Sequence, residues 1–118
     1  MNRPETITSE EKLRKVQDYI RFHYDEELRL STLASMVNMA TSTFCRFFKR
    51  QTGVHLRDYI ADVRLDAVEH KLMNTDAMIC DMSFQCGFNT LSNFNRLFRR
   101  RYGCNPTEYK KNKNTKTL

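Results

Sequence analysis

GFNTLSNFNRLFRRRYGCNPTEY, residues 87–109, is the stretch that decides the fold. It opens on a glycine turn and continues as a helical pattern. At about 100° per residue, Phe94, Leu97 and Phe98 share one side, and Ser92, Asn95, Arg96 and Arg99 share the other. Gly103 stands where a helix ends in the left-handed conformation, and Pro106 where the next one begins. An apolar stripe backed by hydrogen-bonding and cationic side chains is what a helix needs to lie in a DNA major groove.

The chain contains this stretch twice. A shift of 50 residues pairs Phe44 with Phe94, Arg46 with Arg96, Phe48 with Phe98, Arg50 with Arg100, Gly53 with Gly103 and Tyr59 with Tyr109. Lys49 and Arg99 agree in charge. Over the preceding short helices the shift is 49: Leu30 with Ile79, Leu33 with Met82, Ala34 with Ser83, Asn38 with Gly87. Shared packing needs explain the repeated phenylalanines and glycines. They do not explain an arginine at the same place on both outer faces.

The rest of the chain reads as helix throughout. Ser9, followed by Glu10 and Glu11, is expected to cap a first helix, carried by Leu13, Val16, Ile20 and Tyr24 and ending near residues 25–27. Leu30, Leu33, Ala34 and Val37 make a short second helix that stops at Asn38, a residue tolerant of a left-handed turn. Thr41 or Ser42 is expected to cap the third, in which Phe44, Phe47 and Phe48 face inward. A straight helix over 56–73 follows, without Gly or Pro; then come a short helix from Ile79, the helix of the opening stretch and a last short helix holding Tyr109. The fold class is all-α, with about seven helices forming two helix-turn-helix subdomains joined by a long linking helix. The segments are 1–8, a flexible start or linker remnant; 9–55, the first subdomain; 56–73, the linking helix; 74–111, the second subdomain; and 112–118, a basic flexible tail.

At 118 residues, three Gly and two Pro argue against a loop-rich or all-β fold. No apolar run approaches the roughly 18 residues of a membrane span, and the start lacks an apolar signal core, so a cytoplasmic protein with no membrane partner is expected. Cys45, Cys80, Cys86 and Cys104 show no metal-ligand spacing and read as reduced thiols, three of them in or near the core. His23, His55 and His70 share no spacing either, so no metal and no cofactor is expected. There is no paired-carboxylate or nucleophile–base arrangement, and hence no candidate for catalysis. The net charge of +6 is focused: residues 93–116 carry eight basic side chains against one acid, Glu108, leaving −1 for the remainder. A phosphate-facing surface needs such focusing; a solvated helix face with a lysine tail would show it too.

These residues are similar to the AraC/XylS family of bacterial transcription regulators. The matching pieces are Gly87, Phe88, Ser92, Phe94, Arg96, Phe98, Arg99, Gly103, Pro106 and Tyr109, together with Leu30, Leu33 and Ala34 leading to Arg46, Phe48, Lys49 and Gly53. The likeness covers about residues 13–111. It implies a DNA-binding domain of seven helices, a function in transcription, commonly activation through RNA polymerase, and a bacterial, nucleoid-associated location. This domain would be monomeric, while a longer parent could dimerise. The chain departs from the family pattern in several places. Asn38 stands for a turn glycine, Ala40 for a capping serine, and Val68 and Lys71 for small or apolar residues. Cys45 is an unusual groove residue.

Within this reading the base-contacting candidates are Ser42, Cys45, Arg46, Leu91, Ser92, Asn95 and Arg96. Arginine can grip guanine with two hydrogen bonds, and asparagine can pair with adenine. Thr41, Lys49, Arg50, Thr90, Arg99 and Arg100 are the phosphate candidates, supplying affinity and salt dependence. Because the two faces differ, Ser42, Cys45 and Arg46 against Ser92, Asn95 and Arg96, the expected site in double-stranded DNA is asymmetric. The rival expectation is a helical interaction module whose basic face binds an acidic partner.

Overall fold

The computed structural model describes residues 7–116. Most of the start assigned to 1–8, and the last two residues of the tail, lie outside the described residues. Those described form seven helices and no strand: α1 Ser9–His23, α2 Leu30–Met36, α3 Thr41–Thr52, α4 Leu56–Asn74, α5 Ile79–Gln85, α6 Leu91–Tyr102 and α7 Pro106–Lys116. They divide into two compact units, with the boundary between Ile60 and Ala61, inside α4. The last helix runs on to Lys116, over positions where the sequence suggested a tail from 112. The residues from 107 to 116 contain neither Gly nor Pro to stop it.

In the first unit, Val16 and Ile20 of α1 are wholly buried, and α1 packs on α2. The cap of α1 is Thr8 rather than the expected Ser9. Thr8 Oγ1 accepts from the Glu11 amide at 3.1 Å, and Glu11 Oε1 accepts from the Thr8 amide at 2.9 Å. This reciprocal box needs a carboxylate or amide three residues after the cap. Thr8 finds Glu11 there, whereas Ser9 would find Lys12. The helix also stops at His23, short of residues 25–27. Leu33, Ala34 and Val37 close over the core. The turn to α3 is made by Asn38 at φ 58°, as its tolerance of the left-handed region suggested.

The expected hydroxyl cap on α3 is absent. Ala40 occupies the cap position without a side-chain bond. Thr41 and Ser42 are already the first two helical residues, so their hydroxyls sit past the place from which a cap accepts. At the other end Gly53, at φ 78°, donates its N–H to the Lys49 carbonyl at 2.8 Å. Phe44 and Phe48 are fully buried, and Phe48 meets Tyr59 edge-on at 5.2 Å.

The second unit repeats this construction. Met82, Ser83 and Cys86 are buried where Leu33, Ala34 and Val37 are buried in the first. Gly87, at φ 100°, takes the place of Asn38. The amide of Phe88 bonds the Ser83 carbonyl at 3.0 Å, as that of Met39 bonds Ala34. Ser83, a hydroxyl in a core position, is satisfied by donating to the Cys80 carbonyl at 2.8 Å. Phe94 and Phe98 are fully buried, and Phe98 meets Tyr109 edge-on at 5.6 Å. Only Cys86 of the four cysteines is buried; Cys45, Cys80 and Cys104 are half-buried.

Gly103 donates to the Arg99 carbonyl at 2.8 Å from φ 81°. Nothing lies within 4 Å of where its Cβ would be, so a side chain there meets only the backbone penalty. Gly103→Ala is therefore expected to cost about 1–2 kcal/mol, read as a lower denaturant midpoint at unchanged slope.

Most of α4 belongs to the second unit, where Leu65, Val68 and Leu72 are buried. Val68 is wholly enclosed. Polar links then tie α6 and α7 to α4 and the turn after it. Arg101 donates to the Asp62 carbonyl at 2.9 Å and pairs with the Asp66 carboxylate. Tyr109 donates its hydroxyl to Glu69 at 2.7 Å, and Lys110 Nζ donates to the Thr75 carbonyl at 2.9 Å.

Burial pushes Tyr102 up to about 12, and burial with the bond to Glu69 pushes Tyr109 to about 12. The unfolded tyrosines ionise near 10. The stability tied to these protonated hydroxyls is thus full below pH 10 and lost as pH rises from 10 through about 12. Denaturant unfolding across that window should show the fall, and Tyr109→Phe should make it shallower.

Candidate nucleic-acid interface

Two helices, α3 and α6, present the candidate side chains. In each, the phenylalanines occupy the buried side, and a polar arc about 100° wide lies opposite. Ser42, Arg46, Lys49 and Arg50 are exposed on α3, as is Thr41 at its first turn. Leu91, Ser92, Asn95, Arg96, Arg99 and Arg100 are exposed on α6. Neither helix contains an Asp or Glu, so no acid within α3 or α6 offsets their basic charge.

Several candidates do more than face plainly outward. Cys45 is half-buried and lines a groove of about 390 Å³ with Leu30 and residues 55–58. The second unit has a matching groove of about 400 Å³, lined among others by Ile79, Asn95, Asn105 and Pro106. Those four are the repeat partners of Leu30, Cys45, His55 and Leu56. Leu91 also lines it. Thr90 is the cap of α6, its Oγ1 accepting from the Asn93 amide at 3.1 Å. A hydroxyl used as an acceptor keeps its proton for a phosphate oxygen.

The cations are held to different degrees. Lys49 Nζ donates to the Gly53 carbonyl at 2.9 Å, which folds it over the end of its own helix. Arg96 Nη2 donates to Asn93 Oδ1 at 2.7 Å. Arg46 and Arg99 make no ion pair among the described residues. Arg101 and Lys110, counted by the sequence in the basic segment, are turned onto α4 and its following turn and leave the outward-facing set. Helical angle alone could have flagged Arg101: it falls about 180° from Ser92, on the side of Phe94. Asn93 is the residue that sequence reasoning passed over; its spacing of three from Arg96 was the available signal.

Among the described residues no three His, Cys, Asp or Glu are grouped as metal ligands would be. No helix among them is long and apolar enough to cross a membrane.

A short helix, a left-handed turn and an amphipathic helix with an acid-free outer face define a helix-turn-helix protein, here built twice. A family model described as a helix-turn-helix domain matches residues 33–112. The HTH-type transcriptional activator RhaS of Enterobacter sp. (strain 638) is 30% identical over 97 residues, 82% of this chain and 35% of that protein. The HTH-type transcriptional regulator ExsA of Pseudomonas aeruginosa is 30% identical over 105 residues, 89% of this chain and 38% of that protein. The crystal structure of the DNA-binding domain of AdpA, in complex with a target DNA, superposes with a TM-score of 0.83. It is 25% identical to this chain and covers 89% of it and 95% of the AdpA chain. The chain belongs to the AraC/XylS family, a family of DNA-binding transcription regulators rather than of enzymes. It spans a little over a third of the length of these curated relatives.

Proposed function

We propose that this chain is a sequence-specific reader of double-stranded DNA that acts as a transcription activator. In this reading α3 and α6 enter two successive major-groove segments, about 34 Å apart, of one asymmetric site. Arg46 and Arg96 grip guanines, Asn95 pairs with adenine, and Ser42, Ser92, Cys45 and Leu91 complete the base-facing set. Thr41, Lys49, Arg50, Thr90, Arg99 and Arg100 hold phosphates. The observation that carries the reading is the repeated pairing of a buried phenylalanine stripe with an acid-free exposed face bearing arginine at one position. The name of RhaS, an activator, supports activation, and contact with RNA polymerase at a nearby promoter would deliver it. The domain acts as a monomer in the bacterial cytoplasm, within the nucleoid, and a longer parent carrying it could dimerise.

Selection from random duplexes followed by footprinting tests this. Protection of two adjacent major-groove segments with no internal symmetry is the expected result. Absence of any sequence preference at physiological salt would leave a basic module for an acidic partner instead.

Phosphate and base roles separate by salt. Each neutralised phosphate contributes about −0.9 to the slope of log K against log salt. Arg99→Ala is expected to weaken binding evenly across sequences and to reduce that slope by about 1. A loss confined to one base pair would move Arg99 to the base-reading set.

A further inference from the structure

We propose that Asn93 is a positioning residue that sets Arg96 for base reading and makes the second unit the more discriminating of the two. The inference rests on the reading of Arg96 as a base contact. Asn93 is the third residue of α6, and its amide is fixed by the Thr90 cap at 3.1 Å. One turn later, Arg96 Nη2 donates to its side-chain oxygen at 2.7 Å. Both residues are exposed, so no buried polar group demands this bond and the core gains nothing from it. Its effect falls on the conformation of the arginine.

The chemistry suits that task. A guanidinium has five N–H donors in a planar fork. The bond to Asn93 uses one, and a two-point grip on guanine O6 and N7 needs two of the remaining four. Asparagine accepts as a neutral amide. It therefore orients the cation without cancelling the charge, as an aspartate at that place would. A long side chain already held in one arrangement loses less freedom on binding.

The first unit lacks the device. Thr43 stands at the position of Asn93, and its side chain has neither the length nor the amide oxygen of asparagine. Arg46 has no hydrogen-bond partner among the described residues. It must be ordered by the DNA itself, and its base preference is correspondingly weaker.

The test uses the full chain and a selected duplex with every base pair varied in turn. Arg96→Ala first identifies the pair that Arg96 reads. In Asn93→Ala the preference at that pair is expected to fall about 2- to 10-fold, the range for one newly mobile long side chain. Preferences elsewhere and the salt slope should stay unchanged. Adding Asn93→Ala to Arg96→Ala should have no further effect at that pair. An unchanged preference, an equal loss on all sequences, or a fully additive double variant would each overturn the positioning role while leaving Arg96 a reader. If Arg96→Ala itself relaxes no base pair, the base-reading assignment fails, and this proposal with it.

Discussion

Replacing Phe98 with alanine is expected to remove about 3–5 kcal/mol of stability, the usual cost of emptying a buried aromatic site. A domain of this size has only about 5–15 kcal/mol in total. Phe98 is fully buried and touches three other rings: Phe94 at 5.7 Å, Tyr102 at 4.4 Å and Tyr109 at 5.6 Å between centroids. Truncation leaves a void facing α7, and a wall of rings closes poorly around a methyl group. The consequence for function runs through aim. The exposed arc of α6 is directed by what its opposite side rests on, so loosening that side lets Arg96 wander. Denaturant unfolding should show the loss, and hydrogen exchange should show protection falling over α5, α6 and α7. Phe98→Leu, which keeps most of the volume, should lose much less. Equal stability for both variants would mean that the ring is not packed as described.

Replacing Arg96 with alanine is expected to cost about 1–3 kcal/mol of specific binding, concentrated on one or two base pairs. The residue is exposed in the free protein, so its removal leaves no buried partner unsatisfied and stability should hold. In the proposed reading, what disappears is a two-point grip available to guanine and to no other base in that geometry. Affinity for unrelated duplexes should fall only slightly, because a single charge is lost from a larger set. Competition binding against duplexes varied one pair at a time measures this. A loss spread evenly over all sequences would reassign Arg96 to the phosphate backbone.

Much of this molecule could be read before any fold was known. The places where reading failed are instructive. Helix starts were misjudged wherever a hydroxyl stood within one residue of the true cap. Thr8, not Ser9, caps α1 because Glu11 lies three residues beyond it. No side chain caps α3, because the helix begins at Thr41 itself. Of the four cysteines, three of which were expected in or near the core, Cys86 is buried and Cys45, Cys80 and Cys104 are half-buried, since a small polarizable side chain is tolerated on either side of that boundary. Among the candidate site residues, Cys45, Leu91, Asn95 and Arg99 line grooves beside their helices. That placement depends on the neighbouring helices, which no spacing within α3 or α6 describes.

The charge of the last segment shows the limit most clearly. Eight basic residues read as one patch, because a sequence records charge without direction. Folding sorts them. Arg101 finds Asp62 and Asp66, and Lys110 finds Thr75, partners 35 to 39 positions away. Tyr109 meets Glu69 across 40 positions. By itself the sequence determined the two helix-turn-helix units, the left-handed residues at Asn38, Gly53 and Gly103, the buried phenylalanines and the polar arcs of α3 and α6. Each of these follows from helical period or from one residue's own backbone preference, and both are local. Only the tertiary structure decided which cations remain outward for a ligand and which are consumed in holding α6 and α7 on α4, because a salt bridge has no existence until distant residues are brought together.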